Sequence, residues 1–201
     1  MANPPTEFPT IDWNAEPDLD RLRRARATQR INPREGLQDL EDLAELGSVA
    51  GMIYVGHAYQ IGEGCHKDLE RAEYWYRVAT NAGSLQGSFR LAGLYRASGQ
   101  FDEALRLYAM GASLNFPAAI TWMGRMYSDG LGVEPDLDKA SDLWRRGSIL
   151  GHPFAKRNLA LLYLKGRYGL AGVFKGVSML LSAIRDAVAI SIRDPKSNLL
   201  W

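Results

Sequence analysis

The chain has 201 residues, 46% of them apolar, and 24 Lys+Arg stand against 23 Asp+Glu. That composition excludes a disordered chain and leaves room for a substantial core. The near-zero net charge removes any global electrostatic case for nucleic acid or an anionic membrane as partner.

The opening stretch MANPPTEFPTIDWN has neither a basic n-region nor an apolar run, so it does not read as a secretory leader. Pro4, Pro5, Pro9 and Pro17 make residues 1–17 an extended segment. Asp18 is a helix N-cap, and Asn32-Pro33 ends that first helix and starts a second, with Pro33 at N1 and Gly47 at the far end. Residues 18–47 are therefore expected to be a capping helix pair. Further helix pairs are expected over 48–83, 84–115, 116–151 and 152–190. The last stretch, 191–201, is broken by Asp194-Pro195 and closes on Leu199, Leu200 and Trp201. Two readings stand for it: an apolar cap on the last pair, or a peptide that docks on another chain. No apolar stretch is long enough to cross a bilayer. The single cysteine, Cys65, excludes an intrachain disulfide and fits a reducing compartment, so a cytoplasmic location is expected.

The pairs are copies of one another. Tyr59, Tyr95, Tyr127 and Tyr163 are spaced by 36, 32 and 36 residues. Eight positions before each stands a small residue: Gly51, Gly87, Ala119, Ala155. Four before is a larger apolar one, Val55, Leu91, Met123 or Leu159; three before is again small, Gly56, Ala92, Gly124 or Ala160. Offsets of three, four and eight share one helical face, so these positions form a packing set. The second helices repeat too. They carry Ala72, Ala104, Ala140 and Gly176, then the bulky pairs Trp75-Tyr76, Leu107-Tyr108, Leu143-Trp144 and Met179-Leu180. Gly83, Asn115 and Gly151 follow where a C-cap needs a left-handed residue, whereas Ala187 breaks that rule. Asp68 and Asp136 are the N-cap candidates, after the loops Gly62-Glu63-Gly64 and Gly130-Leu131-Gly132.

Met123-Gly124-Arg125-Met126-Tyr127, the Gly130-Leu131-Gly132-Val133 loop, Asp136, Lys139-Ala140 and Trp144 resemble the Sel1-like repeat. The Val55 unit matches nearly as well, with Cys65 in place of the loop valine. The Tyr95 unit lacks four loop residues and is similar to a tetratricopeptide repeat, and the last unit has lost much of the loop signature. The resemblance covers about Ser48 to Ala187. It implies an all-α, right-handed solenoid of antiparallel helix pairs, about five units with the degenerate N-terminal one. It also implies a protein-binding adaptor or scaffold rather than a catalyst.

In such solenoids the first helices line a concave binding face. The positions the packing set leaves there are His57, Gln60, Gln86, Arg90, Arg96, Thr121, Trp122, Arg125, Asp129, Arg157, Asn158 and Lys165. Five of the side chains are basic and one acidic, so a groove suited to an acidic peptide or a C-terminal carboxylate is expected. The competing reading makes them ordinary solvated helix positions. The arginines Arg21, Arg23, Arg24, Arg26, Arg30 and Arg34 are flanked by Asp18, Asp20 and Glu35 and lack interleaved aromatics. They read as a solvated capping helix rather than a nucleic-acid patch.

Nothing points to catalysis or a cofactor. His57, His66, His152 and Cys65 do not form a metal-ligand pattern, and no H-E-x-x-H, C-x-x-C, G-x-S-x-G or P-loop motif occurs. The expected partner is another protein or peptide, with no nucleic acid and no membrane insertion; the oligomeric state is left open. The alternative is an accessory or regulatory subunit of an enzyme, or a module that binds a small molecule or glycan. It would need a closed pocket with converging polar groups.

Overall fold

The computed structural model describes residues 16–165 and 169–193, without the side chains of 187 and 190–193. Every regular element among them is a helix: α1 Leu19–Ile31, α2 Pro33–Glu45, α3 Val49–Ile61, α4 Leu69–Asn81, α5 Leu85–Ala97, α6 Phe101–Ser113, α7 Pro117–Asp129, α8 Leu137–Ile149, α9 Pro153–Leu164 and α10 Gly169–Arg193. All but the last two residues of the expected extended segment over 1–17, and the end of the 191–201 tail, lie outside the described residues. Contacts divide the chain into two compact units, Met1–Leu107 and Tyr108–Trp201, with the boundary inside α6.

Local chemistry sets the helix ends. The carboxylates of Asp18, Asp68 and Asp136 accept from the backbone N–H of Arg21, Arg71 and Lys139 at 2.8, 3.0 and 2.8 Å. Each satisfies one of the orphan donors of a first helical turn. Asn32 caps α2 in the same way, and Pro33 occupies its first position. Several helix C-termini turn out through left-handed residues, and among the described residues Asn115, at φ 58°, is the one that is not glycine. Gly64 needs both φ +81° and the missing side chain, since a Cβ there would lie 2.2 Å from the Pro33 carbonyl oxygen.

In the first unit, α1 pairs with α2 and α3 with α4, while α2 packs on α3 and α4 on α5. Leu40, Leu43, Val55 and Tyr76 are wholly buried in one continuous core there. Each large apolar side chain so buried contributes about 1.5–3 kcal/mol. In the second unit, α7 pairs with α8 and α9 with α10, and α8 packs on α9. Trp144, Leu159, Leu162 and Tyr163 are central to its core.

The packing set acts through close approach. A Cβ on Gly56 would stand 2.7 Å from the Tyr76 ring, and one on Gly124 would stand 2.7 Å from Trp144 Nε1. The two glycines occupy the same repeat position, and so do the two aromatics. Between successive pairs, Gly87 meets Ala79, Gly111 meets Ala119 and Gly147 meets Ala155, each with under 3.0 Å for an added Cβ. Small residues on both sides let the helix backbones come together.

Candidate functional site

In the first unit the candidate side chains lie on α3 and α5. The Tyr76 hydroxyl donates to Gln60 Oε1 at 2.8 Å, so a core tyrosine of α4 fixes this surface amide. His57 is partly buried; burial and then the Arg90 charge push its pKa below the usual imidazole value. Three residues before His57 on α3 stands Tyr54, with the Arg26 guanidinium 4.2 Å above its ring. Burial raises the Tyr54 pKa, while Arg26, Arg30 and Arg90 act to lower it. Arg90 is half-buried, and among the described residues its Nε has no hydrogen-bond partner. Arg96 is half-buried in the last turn of α5.

Tyr54 and Arg26 were not among the sequence candidates. Tyr54 falls outside the matched repeat positions, and Arg26 reads as one of a run of arginines on a solvated helix. The available signal was the three-residue spacing from Tyr54 to His57, which places both on one side of α3.

In the second unit the candidates separate. Thr121 is 3% exposed, and its hydroxyl donates to the Pro117 carbonyl at 2.8 Å. With that proton used, Thr121 Oγ1 accepts from His152 Nδ1 at 2.9 Å, and Trp144 Nε1 donates to the Thr121 carbonyl at 3.1 Å. Thr121 thus ties α7 to α8 and to the residue that caps α9. Trp122 is half-buried and stacks on Tyr108, with centroids 6.5 Å apart and planes 13° apart. Arg125 is ion-paired with Asp129 one turn later, which cancels that positive charge within α7. Arg157 is exposed and lies 4.8 Å over the Phe154 ring, with Nη2 3.3 Å from Asn158 Oδ1. Lys165 is exposed at the end of α9.

Three expectations need correction. Gln86, Thr121 and Asn158 are buried rather than left free by the packing. Thr121 is satisfied inside the fold by Pro117 and His152, and Asn158 Oδ1 accepts from the neighbouring exposed Arg157, which is what permits these polar side chains to be buried. The candidates that are not buried are His57, Gln60, Arg90 and Arg96 in the first unit and Trp122, Arg125, Asp129, Arg157 and Lys165 in the second.

The repeat tyrosines carry a second polar layer. The Tyr59 hydroxyl donates to Glu41 at 2.5 Å and accepts from Arg71 at 2.6 Å. The Tyr95 hydroxyl donates to Glu73 at 3.0 Å and accepts from Arg77 at 3.3 Å. Lys139 and Lys175 stand 4.0 and 5.0 Å from the Tyr127 and Tyr163 rings. These contacts bind neighbouring helices together and offer no reactive group. Cys65 sits against the Ala58 carbonyl at 3.8 Å, and burial pushes its thiol pKa up, which disfavours the nucleophilic thiolate. Among the described residues, no three His, Cys, Asp or Glu side chains come together as a metal ion would need, and no helix is long and apolar enough to cross a membrane.

The family model of the Sel1 repeat matches residues 49–84, 117–152 and 153–178. This chain carries Sel1 repeats. Its fold is the α-solenoid class of helix pairs expected from the sequence. The Sel1 repeat protein of Oxalobacter formigenes superposes with a TM-score of 0.72 at 22% identity, over 83% of this chain and 71% of that one. A protective antigen of uropathogenic Escherichia coli with an SLR fold superposes with a TM-score of 0.68 at 19% identity, over 84% and 37%. In sequence, the chain is 28% identical over 140 residues to the ERAD-associated E3 ubiquitin-protein ligase component HRD3B of Arabidopsis thaliana, covering 69% of this chain and 22% of that protein. The chain spans less than a third of the length of the curated relatives it matches. Sel1 repeats generally serve protein–protein interaction as scaffolds rather than as enzymes.

Proposed function

We propose that this Sel1-repeat protein is a non-catalytic adaptor whose first-helix faces hold an acidic segment of a partner protein. The reading rests on the first unit. There, among the described residues, Arg90 keeps a buried Nε without a hydrogen-bond partner beside His57 and the Arg26–Tyr54 pair. A buried guanidinium donor left unsatisfied is costly, and a carboxylate is the ligand that matches its geometry and charge. Gln60, held by Tyr76, supplies a neutral donor on the same helix as His57. In the second unit, taken by itself, Arg157 and Lys165 are the exposed basic candidates; Arg125 is already neutralised by Asp129. The ligase-component name of the Arabidopsis relative supports a role within a protein assembly.

The test is a quantitative pull-down from native lysate with the full chain as bait, compared with Arg90→Glu and Arg157→Glu. Proteins captured by the wild type, and released with rising salt, are expected to fall at least about tenfold on the Arg90→Glu bait. Capture that is unchanged in amount and in salt response on both variants overturns the reading.

A further inference from the structure

Helix α10 carries an apolar stripe that the described residues leave exposed. Leu170, Phe174, Val177, Leu181, Ile184 and Val188 are all exposed, with Leu170 at 81% and Phe174 at 76%. Their spacings alternate between four and three residues along α10. That is the 3.5-residue period of a seam between two helices, and it places all six side chains on one side. The opposite side of α10 is the one spent on the fold. Gly176 approaches the Ala160 carbonyl, Met179 joins the core, Ala183 is buried, and Asp186 and Ser182 both receive Lys156 of α9 at 2.6 Å.

The repeat register shows that this stripe is unusual. Gly176 corresponds to Ala72, so Phe174, Val177, Leu181 and Ile184 stand where α4 carries Glu70, Glu73, Arg77 and Thr80. On α4 that side faces the next repeat: Glu73 and Arg77 both bond Tyr95 on α5. On α10 the same positions have become apolar throughout, which suits a covering surface of the same chemistry.

The charges nearby are engaged within the chain. Lys175 lies over Tyr163, and Arg185 pairs with Asp186. The six stripe residues themselves are uncharged, so the seam sets no like charges against each other when it meets its own copy. A homotypic contact also needs a self-complementary patch, which a periodic apolar seam provides. With on the order of 100 Å² left exposed by each of the six side chains, the stripe comes to roughly 600 Å² per chain. Two copies would bury roughly 1,200 Å², the lower bound of specific interfaces.

From this seam we infer that the protein self-associates into a two-fold dimer, α10 against α10 of a second copy. The inference is independent of the acidic-segment reading, which concerns other helices.

Sedimentation equilibrium on the full chain tests it, with Phe174→Glu/Leu181→Glu as the variant. Both positions are solvent-exposed in the single chain, so the variant keeps its fold, as checked by far-ultraviolet circular dichroism. The wild type is expected to dimerise below about 100 µM, and the variant to weaken dimerisation at least about tenfold. A wild type that stays monomeric at that concentration overturns the inference. So does a dimer unaffected by the variant, which would lie elsewhere. Two further outcomes replace the second copy with another occupant. One is dimerisation only after Leu199, Leu200 and Trp201 are changed to Ser in the full chain. The other is a monomer that floats with phosphatidylcholine vesicles.

Discussion

The Thr121–His152 contact shows how single residues divide between fold and function. Both are polar, and Thr121 belongs to the first-helix positions from which binding residues are drawn. Yet its hydroxyl and the imidazole satisfy each other in the interior. Burial lowers the His152 pKa from 6.5 to about 4. The unfolded chain therefore takes up that proton before the folded one does. Stability from this site is complete above about pH 6.5 and is lost as pH falls toward 4, by about 3 kcal/mol in total. His57 shifts the same way, so the difference between proteins isolates His152. Urea denaturation at pH 7.5, 5.5 and 4.5 is expected to show a steeper acid loss in the wild type than in His152→Gln. Equal slopes would contradict the burial argument. Sequence offsets alone could not separate Thr121 from Arg125, because polarity in a sequence does not report exposure once partners satisfy it.

At the scale of elements, the matched offsets were legible because they report close packing. Gly56 and Gly124 face Tyr76 and Trp144 in the same way in different pairs. Gly124→Val is expected to cost about 1–3 kcal/mol through overpacking against the indole, measured by thermal or urea unfolding. Adding Trp144→Leu should recover part of the loss, because the two sites share one space. Strict additivity of the two changes would show that the contact does not limit stability. The helix ends were equally readable, since Asp68, Asp136 and Asn115 carry their own local chemistry. The last helix was less so. Ala187 offers no left-handed stop, and α10 accordingly runs on to Arg193 beyond the end expected from the repeat length. Its apolar stripe escaped notice because the repeat comparison selects positions that agree between units, and these differ.

For the molecule as a whole, the resemblance to Sel1 repeats set the fold, and the family match and the solved structures agree with it. The fold follows from the period, which any repeat of this kind must keep. The partner does not follow from it, because specificity sits in side chains that the period leaves free. The central claim is that the Arg90 surface takes carboxylates. It is tested most directly by titrating the full chain with a fluorescently labelled pentaglutamate peptide at several salt concentrations, beside Arg90→Glu and a pentalysine peptide. The claim predicts binding of pentaglutamate alone, weakened by salt and reduced at least about tenfold in Arg90→Glu. Equal binding of both peptides, or affinity for pentaglutamate that Arg90→Glu leaves unchanged, would contradict it.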